Sequence, residues 1–172
     1  KAMRVPVVAM ADVNLAAAES RRDEFYPKAD VYTDHHDLLA RDDISVVEIA
    51  THTAVRGQQI RDALKAGKHV LSQKPFTDDL REGRKLIAYA KRRGLKLGVN
   101  QNGRWSPQFA GFLAAVRQGL LGDLYTVDYS LAWDHTWIRG SAFEKLHHLI
   151  LSDFAIHWFD AVRCAFGDRK PR

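Results

Sequence analysis

Asp153 and His157 stand four residues apart in an apolar run, so a helix through them puts a carboxylate and an imidazole on one face. A carboxylate so placed can orient the imidazole, which then serves as general base toward an alcohol. The pair also reads as a capping aspartate and a satisfied core histidine. Lys74 lies in Gln73-Lys74-Pro75, directly after the short β-prone run His69-Val-Leu71. An ammonium at a strand end can hold a substrate hydroxyl or lower its pKa during oxidation; the other reading is a surface lysine in a proline-terminated turn. Asp12 closes the first apolar run, which begins at Val5. A carboxylate there can accept both ribose hydroxyls of an adenosine and repel a 2′-phosphate, or it can cap the next helix.

These residues need elements to position them, and the spacing supplies them. Strands are expected over 5–11, near Val31-Tyr32, over 45–50, over 69–71 and over 97–99. Helices are expected over 15–25 (with Asn14 or Asp12 as N-cap), 36–40, 54–66 and 80–93, with Gly67 and Gly94 as stop residues. That alternation predicts a parallel sheet with helices on both faces. After Asn100 the rhythm changes: a helix over 107–118, a longer strand over 124–133, a loop or helix entry over 141–145, and an apolar helix over 149–166 stopped by Gly167. A domain boundary between 102 and 103 follows.

Composition excludes some classes. With 46% hydrophobic and 27% charged residues, the chain has the balance of a globular protein, and no apolar run is long enough to span a bilayer. Cys164 is the single cysteine, which favours a reducing cytoplasm. The net charge of +5 comes largely from residues interleaved with acids on helix faces, as in Arg81-Glu-Gly-Arg-Lys85, so no nucleic-acid partner is expected. A doubly wound nucleotide-binding sheet normally opens with a strand, a Gly-x-Gly-x-x-Gly turn and a helix. That motif is not in this sequence, and the first strand ends at an acid as a second strand does. The expectation is an incomplete Rossmann-type sheet lacking its first strand-helix unit, with truncation at the far end too.

Four blocks carry a resemblance: Ile49-Ala-Thr-His-Thr53; Ala63-Leu-Lys-Ala-Gly-Lys-His-Val-Leu-Ser-Gln-Lys-Pro-Phe76; Asn100-Gln-Asn-Gly-Arg-Trp-Ser-Pro107; and Ser152-Asp-Phe-Ala-Ile-His-Trp-Phe-Asp160. In order and spacing the chain resembles the Gfo/Idh/MocA family of oxidoreductases from Val7 to about Gly167. The resemblance implies an α/β fold: a Rossmann domain over 1–102, then over 103–172 the start of an α/β substrate domain built on a mostly antiparallel sheet. It implies hydride transfer between a sugar or polyol carbon and a nicotinamide cofactor. His157 would be the base, Asp153 its orienting partner and Lys74 the stabiliser of the developing alkoxide. Asp12 would match the ribose-binding position and favour NAD over NADP. Thr51 and Thr53 would lie beneath the cofactor and Gln73 beside it, with Arg104, Trp137 and His157 facing the substrate. The full protein would be a homo-oligomer.

The sequence departs from the family pattern at Gln73, where glutamate is usual, at His52 in place of proline and at Arg56 in place of histidine. His147-His-Leu-Ile-Leu151 replaces a glycine-rich approach to the last helix. Alternatives remain: a glycoside hydrolase or epimerase working through transient oxidation, or a non-catalytic sugar-binding relative. A metal held by His147, His148, Asp153 and His157 fits no familiar zinc spacing, and no metal is expected. Trp105, Trp133 and Trp158 read as packing, while Trp137 beside Arg139 reads as a sugar-stacking candidate.

Overall fold

Three helix starts in the first part of the chain are set by a short acceptor on the preceding residue. Asn14 accepts from the Ala17 N–H at the head of α1 (Leu15–Phe25), so Asn14 rather than Asp12 is the cap. Asp34 does the same for α2 (His35–Leu39), and Asp79 for α4 (Leu80–Arg92). The helix α3 (Thr53–Lys65) runs into Gly67, whose φ of +77° is the left-handed turn a side chain disfavours.

The computed structural model describes residues 5–167, and the chain forms two units, one ending at Asn100 and one beginning at Gln101. In the first, five short strands alternate with the helices: β1 (Ala9–Ala11), β2 (Asp30–Tyr32), β3 (Val46–Ile49), β4 (His69–Gln73) and β5 (Leu97–Asn100). All ladders are parallel. They form two sheets, β1-β2 and β3-β4-β5, with registers that place Ile49 opposite Ser72 and Gln73 opposite Asn100. The fold is α/β, with one difference from the single sheet expected: among the described residues β1 and β3 do not pair. The first strand is also shorter than expected, three residues rather than seven.

The core of this unit is the inner face of α3 and α4. Ile60 and Leu64 are fully buried, and Leu86 and Ala90 meet them from α4 along with Val70 of β4 and Ile49 of β3. Gly57 belongs to this contact for steric reasons: a Cβ there would lie 2.7 Å from Glu82 Oε1, and Glu82 accepts from Arg61 at 2.9 Å.

The second unit is helical. A 3₁₀ turn (Asn102–Trp105) leads through Ser106 into α5 (Pro107–Arg117), and α6 (Ala155–Phe166) follows a π-helical turn (Ile150–Phe154). The strand expected over 124–133 is not formed: residues 124–135 have no regular structure, because a strand needs a ladder partner and none pairs with them among the described residues. Aromatic stacking holds the segment instead, with the Tyr129 ring 5.6 Å from Phe109 and 6.0 Å from Trp158. The antiparallel sheet expected of this part is likewise not among the described elements.

Candidate functional site

At the carboxyl ends of β3 and β4 the chain makes two loops, one carrying Thr51 and leading to Thr53 at the head of α3, the other carrying Lys74 and Pro75 just past Gln73, the last residue of β4. Parallel pairing puts both loops at one edge of the sheet. Arg56 holds them together. It is 4% exposed, and its guanidinium donates to the carbonyls of Thr51, Pro75 and, at 3.0 Å, Gln73. A planar five-donor fork suits three convergent carbonyls in a way an ammonium cannot. The Gln73 side chain turns back on its own segment, its Oε1 accepting from the Lys74 N–H at 3.2 Å, and the Lys74–Pro75 peptide is cis. Lys74 is half-buried. Thr51 donates its hydroxyl to Gln59 Oε1 at 2.5 Å, which ties the same loop to α3.

Asp12 stands exposed just past β1. Its backbone N–H donates to the Tyr32 carbonyl, and its Oδ1 accepts from the Asn14 N–H at 2.8 Å. The carboxylate is therefore oriented by the turn that leads into α1.

The second unit builds around His157. Its imidazole lies over Gly103, where a Cβ would come within 2.8 Å of Nδ1. Two further contacts bind the 3₁₀ turn to α6. Gln101 Nε2 donates to the Ile156 carbonyl at 3.2 Å, and Arg104 makes a two-point pair with Asp160 at 2.5 and 2.6 Å. The Asp160 carboxylate raises the pKa of the Arg104 guanidinium through these hydrogen bonds. Asp153 occupies the π turn one turn before His157, a kind of helix irregularity that recurs at functional sites. Trp137 lies half-exposed in an aromatic group with Trp133, Phe143 and Phe154, and Phe154 meets it edge-on at 6.2 Å.

The residues singled out from sequence thus fall into two sets. Asp12, Thr51, Thr53, Gln73 and Lys74 stand at strand ends of the first unit. Asp153, His157, Arg104 and Trp137 belong to the second, where Arg104 is engaged by Asp160 and Trp137 by other aromatics. Two positioning residues escaped the sequence reading. Arg56 stood out only as a departure from a family pattern, although a cation in the buried spacing Arg56, Ile60, Ala63, Leu64 is itself a signal. Gly103 gave no signal apart from being a glycine beside the 3₁₀ turn.

Comparison with known proteins places this geometry in context. A family model described as "Oxidoreductase family, NAD-binding Rossmann fold" matches residues 2–101. D-apiose dehydrogenase of Paraburkholderia graminis is 29% identical over 140 residues, covering 80% of this chain and 37% of that protein. The structure of apo scyllo-inositol dehydrogenase from Lactobacillus casei superposes with a TM-score of 0.74 at 25% identity, covering 92% of this chain and 46% of that one. A 3-ketoreductase from Actinomadura kijaniata, solved with TDP-benzene and NADP, gives a TM-score of 0.61 at 30% identity over 69% of this chain and 36% of its own. The chain spans less than half the length of each of these relatives.

Proposed function

Because this chain belongs to the Gfo/Idh/MocA oxidoreductases, a family with an NAD-binding Rossmann fold, we propose that it supplies the catalytic residues of a sugar or polyol dehydrogenase. The observation that carries the reading is the clamped Lys74 loop, in which a buried guanidinium fixes the backbone on either side of a half-buried ammonium at the sheet edge. In open α/β sheets ligands bind at that edge. Residues 1–102 are then part of a dinucleotide-binding domain, and 103–172 the beginning of a substrate domain.

His157 takes the hydroxyl proton of the substrate. Gly103 leaves room for its ring, and Asp153, one turn back, fixes the ring's orientation. Lys74 stabilises the negative charge that grows on the substrate oxygen. Trp137 offers a face for a sugar ring, and Arg104 is held by Asp160 of α6, the helix that carries His157. When bound, the nicotinamide accepts or donates the hydride.

The residues present fit the ribose end of that cofactor. Asp12 is an exposed carboxylate at a strand end, held at Oδ1 by the Asn14 N–H, so Oδ2 can accept from a ribose hydroxyl. A carboxylate there also repels a 2′-phosphate, which favours NAD over NADP. Thr51, Thr53 and Gln73 would contact the cofactor from the β3 and β4 ends. No residue of this chain is assigned to the pyrophosphate, since no Gly-x-Gly-x-x-Gly occurs in it.

No helix of the described residues is long and apolar enough to cross a membrane. We read the whole protein as a cytoplasmic homo-oligomer with a small-molecule substrate and without nucleic-acid or membrane partners. The test is turnover of inositols, aldoses and sugar acids by the complete protein with NAD and with NADP, following reduced nicotinamide. Accumulation of reduced cofactor with one polyol or sugar, abolished in His157→Asn, is the expected result. Product formed without cofactor accumulation would mean transient oxidation instead, and no turnover in either mode would remove the assignment.

A further inference from the structure

From sequence Trp105 reads as a packing residue, yet it is 78% exposed, the most open of the four tryptophans. Trp133 and Trp137 meet each other's rings, and Trp158 stacks on Tyr129 at 6.0 Å. Among the described residues Trp105 meets no other ring, and its indole N–H has no acceptor.

A single exposed ring needs no explanation by itself. What sets Trp105 apart is the backbone that carries it. It closes the 3₁₀ turn Asn102–Trp105, and contacts to α6 hold that stretch at three residues. Gln101 donates to the Ile156 carbonyl, Gly103 lies against the His157 ring, and Arg104 pairs at two points with Asp160. On the far side Pro107 opens α5 with its φ set by the pyrrolidine ring. A large apolar face is thus kept in water on a backbone fixed from both sides.

The neighbours of the indole are polar heads with hydrogen bonds to give. Three residues per turn put Asn102 and Trp105 on one side of the 3₁₀ turn. Asn102 is exposed, and its amide has no hydrogen-bond partner among the described residues. Arg104 commits Nε and Nη2 to Asp160, which leaves both N–H bonds of Nη1. A protein partner would need a contiguous apolar patch, and Asn102, Arg104 and Gln108 beside Trp105 in the chain interrupt one. A flat apolar face with donors at its rim instead suits a sugar or cyclitol ring, which has C–H bonds on its faces and hydroxyls round its edge.

We propose that Trp105 is the platform on which the substrate ring stacks, with the Asn102 amide and Arg104 Nη1 donating to hydroxyls at the ring's edge. Residues 103 and 105 of a 3₁₀ turn are only about 4 Å apart along its axis. A ring resting on the indole is therefore within reach of His157, whose imidazole lies over Gly103. The reaction at this subsite rests on the dehydrogenase reading, and the platform narrows its substrate class. Cyclic sugars and cyclitols are taken in preference to open-chain polyols, which have no flat apolar face.

The test is calorimetric titration of the complete protein with myo-inositol, scyllo-inositol, methyl glucoside, methyl galactoside and the open-chain glucitol. Steady-state kinetics with NAD follow on whichever compound binds. At least one ring compound is expected to bind, and glucitol on the order of ten-fold more weakly. Trp105→Ala should weaken the ring compound on the order of ten-fold and raise its KM by the same factor, with kcat within about two-fold, since stacking is made equally in ground and transition states. Trp105→Tyr keeps a flat face and should recover most of the affinity. Tyr125→Ala, which removes another exposed aromatic of the same unit, should change nothing. Trp105 is mostly exposed, so its variants keep the fold, and an unchanged unfolding midpoint checks this. Unchanged affinity in Trp105→Ala, an equal loss in Tyr125→Ala, glucitol bound as tightly as the rings, or no ring compound bound would each overturn the proposal. Trp105-dependent binding without turnover would remove the dehydrogenase reading and leave the platform. Turnover with an unchanged KM in Trp105→Ala would do the reverse.

Discussion

His157 and Gly103 occupy one space: a methyl group on Gly103 would sit 2.8 Å from His157 Nδ1, closer than a carbon and a ring nitrogen can approach. The imidazole is therefore positioned by an absent side chain on another element, the 3₁₀ turn that Gln101 and Arg104 tie to α6.

Gly103→Ala should rotate or push the His157 ring by about 1 Å. Under the proposed function, a misplacement of that size costs on the order of 100-fold in kcat. Steady-state kinetics with the best substrate checks it. The cofactor KM should stay the same, since Asp12 and the β3 and β4 loops are untouched. A kcat within two-fold of the parent would mean that His157 is not the base.

Arg56→Met should destabilise the first unit by about 3 kcal/mol, because it leaves buried carbonyls without donors. Arg56→Lys should recover only part of this, since a single nitrogen cannot reproduce the fork that serves Thr51 from one nitrogen and Gln73 and Pro75 from the other. Denaturant unfolding of both variants measures the difference. If Lys restored full stability, the fork geometry would not matter.

Asp12→Ser should raise the KM for NAD about ten-fold and narrow the preference over NADP, as the loss of the carboxylate removes both the ribose acceptor and the repulsion of a 2′-phosphate. Parallel KM measurements with the two cofactors decide it. An unchanged ratio would leave Asp12 as a turn residue that serves only the Asn14 N–H.

Below about pH 4 the folded state should lose stability in part through Asp43. The Arg41 guanidinium holds this carboxyl below its ordinary pKa through paired hydrogen bonds of 2.8 and 2.9 Å. A depressed folded-state pKa contributes stability above the unfolded value, and that contribution disappears as pH falls through the folded one. Asp43→Asn should therefore flatten the acid limb of the stability profile by lowering the neutral region, and leave stability at the lowest pH little changed. Thermal unfolding between about pH 2.5 and 7 would show it, and an identical acid limb would exclude the pair.

The alternation of strands and helices through Asn100, the helix around His157 and the stop at Gly67 were legible in the sequence. Each rests on local physics: β-branched runs, 3.6-residue periodicity, short polar caps and a glycine able to take positive φ. Lys74, Asp153 and His157 could be singled out as candidates from local spacing and neighbours, and the family resemblance supplied the roles proposed for them. What needed the tertiary structure were contacts across long sequence separation. The Arg56 fork reaches carbonyls up to 19 residues away, and Gly103 makes room for a ring 54 residues later. His35 and His36 meet Asp62 only because α2 packs on α3. The expected strand over 124–133 did not form for the same reason: strand propensity is local, but a strand exists only with a partner whose backbone answers its own.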